Sequence, residues 1–213
     1  MKYEAVIFDL DGVILSTDDF HYKAWEKLAD REGIYFDREI NERLRGVSRM
    51  ESLAIILERA TQEYSEEQKI EMATFKNDLY RKSLNELKPE HVFPGVWDFL
   101  AFLKAKGIRI AIGSSSKNAK FILKQIGMED TFEAVSDGTN IKNSKPDPEV
   151  FLMAAEMLGV APEKCLVVED AEAGIDAAKA GRMAALGIGF VRQYKKNDYS
   201  FEDIQAVDRS IFE

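Results

Sequence analysis

Apolar residues recur in this chain as short, nearly unbroken runs. They lie at 5–8 (AVIF), 108–112 (IRIAI), 165–168 (CLVV) and 184–188 (AALGI), with a weaker pair at 134–135. A strand with one wet face alternates apolar and polar residues. These runs do not, so they read as parallel strands covered on both faces. Helical stretches separate them. One spans 96–106 and stops at Gly107. Another spans 117–126, with Ser116 as its cap and Gly127 after it. A third spans 148–158, with Asp147 as cap, Pro148 at the first helical position and Gly159 at the stop. Strands alternating with helices of this length specify an α/β fold with a parallel sheet.

Residues 17–92 break the alternation and hold no convincing strand. Phe20, Ala24 and Leu28 keep helical spacing, and Ser65-Glu-Glu-Gln68 reads as a capping box opening a long helix through Met72, Phe75, Leu79 and Leu84. The expected organisation is a core of 1–16 and 93–213 carrying a helical insert of 17–92, with hinges near 16–18 and 92–95. An insert that leaves the sheet just after an acidic strand end is well placed to cover a site there.

The strand ends carry the chemistry. AVIF runs into Asp9, and Asp11 follows two positions later. Neighbouring carboxylates repel, and an unpaired buried charge is costly, so a bound cation is the simplest compensation. The second strand ends in Gly113-Ser114-Ser115-Ser116 before a helix, Lys145-Pro146 precedes another helix, and Cys165-Leu-Val-Val ends in Glu169-Asp170. In an open parallel sheet these ends share one edge. Carboxylates from two strands suit Mg²⁺, a hydroxyl and N–H groups at a helix start suit a phosphate, and lysine adds a compact positive charge. One aspartate can attack phosphorus while the acid two residues on exchanges a proton. Taken singly, a Glu-Asp pair or a serine triplet is ordinarily a cap or a solvated turn. Their joint order is what points to phosphoryl transfer.

Bulk properties agree. The chain has 213 residues, 46% of them hydrophobic, enough for a sizeable core. A net charge of −9 disfavours nonspecific nucleic-acid binding. The apolar runs are too short to span a membrane, so a cytoplasmic protein is expected. The single cysteine, Cys165, excludes an internal disulfide and reads as a plain buried thiol.

FDLDG, then a serine loop, then Lys-Pro-Asp-Pro, then Glu-Asp resembles the haloacid dehalogenase superfamily of phosphotransferases along essentially the whole chain. The resemblance implies a Rossmann-like core with an α-helical cap that opens and closes. HYKAW (21–25), RLRGVSR (43–49), SSSKNAK (114–120) and EDAEAGI (169–175) are similar to its sugar-phosphate mutases. This implies interconversion of β-D-glucose 1-phosphate and glucose 6-phosphate through β-glucose 1,6-bisphosphate, which also serves as phosphorylating activator. Asp9 is then the nucleophile. Asp11 is the general acid/base and lends its backbone carbonyl to Mg²⁺. Glu169 and Asp170 complete the metal environment, Asp170 as the surer direct ligand. Ser114 and Lys145 hold the transferring phosphate, beside Ser115.

The same resemblance implies that in the insert Gly46, Val47, Ser48 and Arg49 form a sugar-facing loop with Arg49 on the distal phosphate, and it implies the roles that follow. Ser116, Lys117 and Asn118 contact that end or the sugar. His21 positions Asp11 and the cap, Thr17 is retained from the family's hinge, and Trp25, Ser52 and Lys76 line the closed cleft. The plainer readings are cap core for Trp25, a solvated side chain for Lys76 and a structural role for His21. His91 matches no motif. The chain departs from the family at Leu15-Ser16, where a hinge acid is usual, and at Asp137-Gly138, where Asp-Pro is common. Two other functions fit the same acids: a sugar-phosphate phosphatase, and a phospho-accepting signalling module, which would lack the long helical insert. A monomer is expected.

Overall fold

The structure, a computed structural model, describes residues 2–44 and 47–213. These residues form two compact units, Met1–Ser16 with Lys88–Glu213, and Thr17–Leu87. In chain order, β1 (Ala5–Phe8) leads into the second unit, which holds α1 (Asp18–Glu32), α2 (Arg38–Glu42), α3 (Arg49–Leu57) and α4 (Glu66–Ser83). The first unit resumes with α5 (Val96–Ala105), β2 (Arg109–Gly113), α6 (Ala119–Gln125), β3 (Ala134–Ser136) and α7 (Glu149–Leu158). It ends with β4 (Cys165–Glu169), α8 (Glu172–Ala180), β5 (Ala184–Ile188) and β6 (Tyr199–Phe201).

The six strands form one sheet in the order β3-β2-β1-β4-β5-β6, every neighbouring pair parallel. The apolar runs take this form because both sheet faces are covered. On one face Ala5, Ile7, Ala111 and Val167 pack with Phe151 and Ala154 of α7 and Ile175 and Ala178 of α8. On the other, Phe8 meets Phe99 of α5 edge-on at 6.0 Å. Each fully buried Val, Ile or Phe among them contributes roughly 1.5–3 kcal/mol. Chain order runs outward from β1 to β3, then jumps back to β4. The switch point between β1 and β4 is where such sheets bind ligands.

Three details differ from the sequence reading. β6 has no apolar run to reveal it: Tyr-Ser-Phe is a partly exposed edge strand, tied in by the Tyr3 hydroxyl donating to Tyr199 Oη at 3.0 Å. α6 begins at Ala119 with Asn118 at the cap position, and Ser116 instead accepts the Asn118 N–H at 3.1 Å. The second crossing between units falls at 87/88, earlier than 92/93. Val92 pairs with Leu15, and the Phe93 N–H donates to Ile14 O at 2.8 Å, which draws this segment to the sheet unit.

The helical unit has its own core of Trp25, Leu28, Leu53, Ile56, Met72 and Ala73. α4 starts with the expected capping box: Ser65 Oγ accepts the Gln68 N–H and Gln68 Oε1 accepts the Ser65 N–H. Cys165 is buried, and desolvation pushes its thiol up to about 12. Among the described residues, no helix is long and apolar enough to cross a membrane.

Candidate active site

Strand register builds the site. Phe8 of β1 lies level with Ile112 of β2 and Val168 of β4. The next residues along, Asp9, Gly113 and Glu169, therefore emerge side by side at the carboxyl edge. Asp9 is 8% exposed and Glu169 1%, so two carboxylates are withdrawn from water together. Lys145 resolves the repulsion. Its ammonium, 2% exposed, donates to Asp9 Oδ1 at 2.5 Å and to Glu169 Oε1. Burial works against the charged amine, but Asp9 and Glu169 outweigh it and raise the Lys145 pKa. Glu169 goes the same way for the opposite reason: burial, reinforced by Asp9 and opposed by Lys145, pushes it up to about 7. The Lys145-Pro146 peptide bond is cis.

Glu169 is fully engaged. Its Oε2 accepts the N–H groups of Asp170 and Ala171, both at 3.0 Å, while Oε1 meets Lys145. Asp9, Glu169 and Asp170 each place a carboxylate oxygen within 4.8 Å of the others. Hard carboxylate oxygens gathered in this way are the donor set a magnesium-like ion takes. Asp11 adds no side-chain oxygen to this group; the contribution expected of it was a backbone carbonyl.

The serine loop, 114–118, fills the gap between β2 and α6. The Ser114 N–H donates to Ser136 O at 3.0 Å, which continues the sheet by one residue, and Ser114 Oγ accepts the Ser116 N–H at 3.2 Å. The loop is braced from outside by the Gly138 N–H donating to Ser116 O at 3.2 Å. A Cβ on Gly138 would fall 2.5 Å from Ser115 O, so the Asp137-Gly138 departure from the usual Asp-Pro is also the position of closest approach. Ser114 and Asn118 are buried, Ser115 and Ser116 partly exposed, and Lys117 exposed. Ser115 Oγ is buried without a hydrogen-bond partner.

In the helical unit, Lys76 is 2% exposed rather than solvated. Its ammonium lies 2.7 Å from His21 Nδ1 and 4.5 and 4.7 Å from the Trp25 and Tyr80 ring centres. Burial, then the Lys76 and Arg49 cations, hold the His21 imidazole well below its usual range. A neutral ring facing an ammonium accepts at Nδ1 and keeps its proton on Nε2. Thr17 is buried and accepts from the Tyr80 hydroxyl at 3.0 Å. Trp25 sits in the unit's core and Ser52 is buried. Val47 and Arg49 are partly exposed, and Gly46 lies outside the described residues. Ser48 caps α3: its Oγ accepts the Glu51 N–H, and Glu51 Oε2 accepts the Ser48 N–H at 2.8 Å. The sequence held that signal, since Ser48-x-x-Glu51 repeats the pattern read at Ser65.

Two glycines at the acids, the last residue of FDLDG and the glycine of EDAEAGI, were given no role in the sequence reading, because their close contacts are made only in the folded chain. Gly12 has φ +87°, and a Cβ there would fall 2.0 Å from Asp170 Oδ2. Gly174 lies in α8, where a Cβ would fall 1.9 Å from Glu169 Oε1. In a helix alanine is favoured over glycine by about 1 kcal/mol. Here the added methyl must displace a buried carboxylate from Lys145, so Gly174→Ala is expected to destabilise by about 1–3 kcal/mol instead. Urea denaturation checks the sign; a more stable variant would mean that Glu169 has room to move.

The chain matches the haloacid dehalogenase-like hydrolase family over residues 3–182. It is 46% identical to the β-phosphoglucomutase of Bacillus subtilis (strain 168) over 188 residues, 87% of this chain and 83% of that protein. It is 34% identical to the phosphorylated carbohydrates phosphatase of Thermotoga maritima, covering 83% of this chain and 81% of that one. The crystal structure of β-phosphoglucomutase from Clostridium difficile superposes with a TM-score of 0.93 at 41% identity, covering 99% of this chain and 95% of that one.

Proposed function

The chain belongs to the haloacid dehalogenase-like hydrolase family, and from that premise we propose that it interconverts β-D-glucose 1-phosphate and glucose 6-phosphate. What carries the reading is its likeness, over nearly the whole chain and in both sequence and fold, to two β-phosphoglucomutases. The buried Asp9–Lys145–Glu169 cluster supplies the chemistry that a phosphoryl transfer requires.

In the proposed mechanism a carboxylate oxygen of Asp9 attacks a phosphorus of β-glucose 1,6-bisphosphate. The bond from phosphorus to the sugar oxygen breaks, Asp11 gives that oxygen a proton, and Asp9 is left as an acyl phosphate. For the return step Asp11 takes the proton from the sugar hydroxyl that attacks phospho-Asp9. Lys145 and Ser114 hold the oxygens of the phosphoryl group in flight, and Lys145 offsets the charge developing there. Asp9 and Asp170, with Asp11 through its carbonyl, would hold Mg²⁺, and Glu169 orients both Lys145 and the backbone at Asp170. When bound, Mg²⁺ neutralises charge on the transferring group. Arg49 grips the distal phosphate, for which its forked guanidinium is suited. Val47, Ser116, Lys117 and Asn118 contact the sugar or that end. His21 and Lys76 form one hydrogen-bonded pair and Tyr80 and Thr17 another, and the Tyr80 ring packs on His21 with centroids 4.0 Å apart, so the four act together within the helical unit.

The test is a coupled assay with β-D-glucose 1-phosphate, Mg²⁺ and a trace of the 1,6-bisphosphate, following glucose 6-phosphate and free phosphate together. Glucose 6-phosphate as the main product supports the mutase. Free phosphate as the main product selects the second reading, a sugar-phosphate phosphatase, which the likeness to the Thermotoga maritima enzyme favours. Arg49→Ala separates the two further. Mutase turnover is expected to fall on the order of 100-fold, while hydrolysis of a small acyl phosphate, which has no distal phosphate, falls far less. Equal losses on both substrates would remove Arg49 from the distal site.

A further inference from the structure

Lys145 reaches the acids from residues 137–148, a stretch between β3 and α7 with no regular secondary structure. A lysine has four rotatable bonds, so its ammonium is only as well placed as the backbone that carries it. The start of the stretch is fixed by Asp137, whose Oδ1 accepts the Thr139 N–H at 2.8 Å and whose carbonyl accepts the Asn140 N–H at 3.1 Å.

The part nearest Lys145 is fixed by another acid. Glu149, the first residue of α7, turns back over the loop. Its Oε1 accepts the Lys142 N–H at 3.0 Å and its Oε2 accepts the Asn143 N–H at 2.7 Å. Asp147 closes the remaining gap, its Oδ1 accepting the Glu149 N–H at 2.9 Å and its own N–H donating to Ser144 O at 3.0 Å. The two backbone bonds hold the Glu149 carboxyl below its usual range. Two consecutive N–H groups taken by the two oxygens of one side chain is a pattern that only a carboxylate completes. A glutamine amide would present a donor to one of them.

We propose that Glu149 is a positioning residue for catalysis, clamping residues 142 and 143 so that Lys145 is delivered between Asp9 and Glu169. The inference rests on the reading that Lys145 holds the transferring phosphoryl group.

The experiment is a double-mutant cycle on the mutase rate, with Glu149→Gln and Glu149→Ala each made alone and in a Lys145→Met background. Lys145→Gln serves as a second background should Lys145→Met fail to fold. Glu149→Gln is expected to lower kcat on β-D-glucose 1-phosphate by about 10-fold or more, since displacements of an ångström cost that much. KM and the urea midpoint should stay close to wild type. In either Lys145 background the same change should cost nothing further, because its only route to the chemistry is gone. A wild-type kcat in Glu149→Gln and Glu149→Ala overturns the inference while the reading of Lys145 stands. So does an equal fold-loss in both backgrounds, which would mark Glu149 as a general structural support. Wild-type turnover in the Lys145 variants themselves would take down the reading of Lys145 and the inference together.

Discussion

In Asp9→Asn, turnover of β-D-glucose 1-phosphate is expected to fall by at least about 10³-fold, with no phosphorylated chain detectable. The amide is nearly the same size as the carboxylate and sits at the same strand end, so the fold has little reason to change. What goes is the nucleophile, because an amide oxygen does not form a stable bond to phosphorus at neutral pH. Asparagine also removes one of the two charges that Lys145 bridges, leaving the ammonium paired with Glu169 alone. Intact-mass measurement after incubation with the 1,6-bisphosphate reads the phosphoenzyme directly, and the coupled assay reads turnover. Mutase activity above about one hundredth of wild type, or a phosphorylated Asp9→Asn chain, would place the covalent chemistry on another residue.

Lys145→Met should be nearly as damaging, and it should also mark stability. Methionine fills much of the lysine volume but leaves Asp9 and Glu169 facing each other, both buried, with no cation between them. Breaking a buried pair by removing one partner costs about 3–5 kcal/mol, and losing a charge aimed at the transferring group costs on the order of 10²–10³ in kcat. The stability loss should depend on pH. Glu169 is already pushed up from its ordinary 4.5 to about 7 by burial and by Asp9, against the pull of Lys145. Without Lys145 it goes higher. A group that binds its proton more tightly folded than unfolded makes stability fall as pH rises through the window between its two pKa values. In metal-free protein the deficit against wild type should therefore be small near pH 5 and grow toward pH 8. Urea midpoints at the two pH values test this, and a deficit that is constant or shrinks with pH would mean that Lys145 does not bridge these carboxylates.

The sheet was readable because its physics is local to each run. A stretch such as AVIF or CLVV has no polar face to show to water, so burial on both sides is its only stable placement. Asp9 and Glu169 were readable because each follows or ends a central strand, where topology forces convergence, and Lys145 because its Lys-Pro falls in the loop that returns the chain to that edge. β6 was not, because an edge strand of three residues, its middle one exposed, is too short to carry a pattern. Lys76 was legible in part: the sequence reading put it in the closed cleft, with a solvated side chain as the plainer alternative, and it is buried. On a charged helix a lysine is ordinarily solvated; Tyr80 lies one turn further along the same helix, but nothing local announces that His21 and Trp25 of α1, distant in sequence, gather around it too. Glu149 and Gly174 are similar: one looks like a first-turn acid, the other like a weak point in a helix. Their partners, loop N–H groups and a carboxylate oxygen, are settled only by tertiary structure.

The strand order has a consequence for how the chain reaches this state. β1 is synthesised before the other strands of this sheet, yet it lies inside it, with Ala5 level with Arg109 on one side and Cys165 on the other. Its first neighbour arrives only after the whole of Thr17–Leu87 has been made, and its second only after the serine loop, α6, β3 and α7 as well. The helical unit closes over nearby contacts and can condense early, whereas loop closure for the sheet spans most of the chain. Until β4 emerges, AVIFD is an apolar strand with an unpaired edge, the kind of segment most exposed to misassembly. The acid that ends this strand lies beside its partners only once that late pairing is complete.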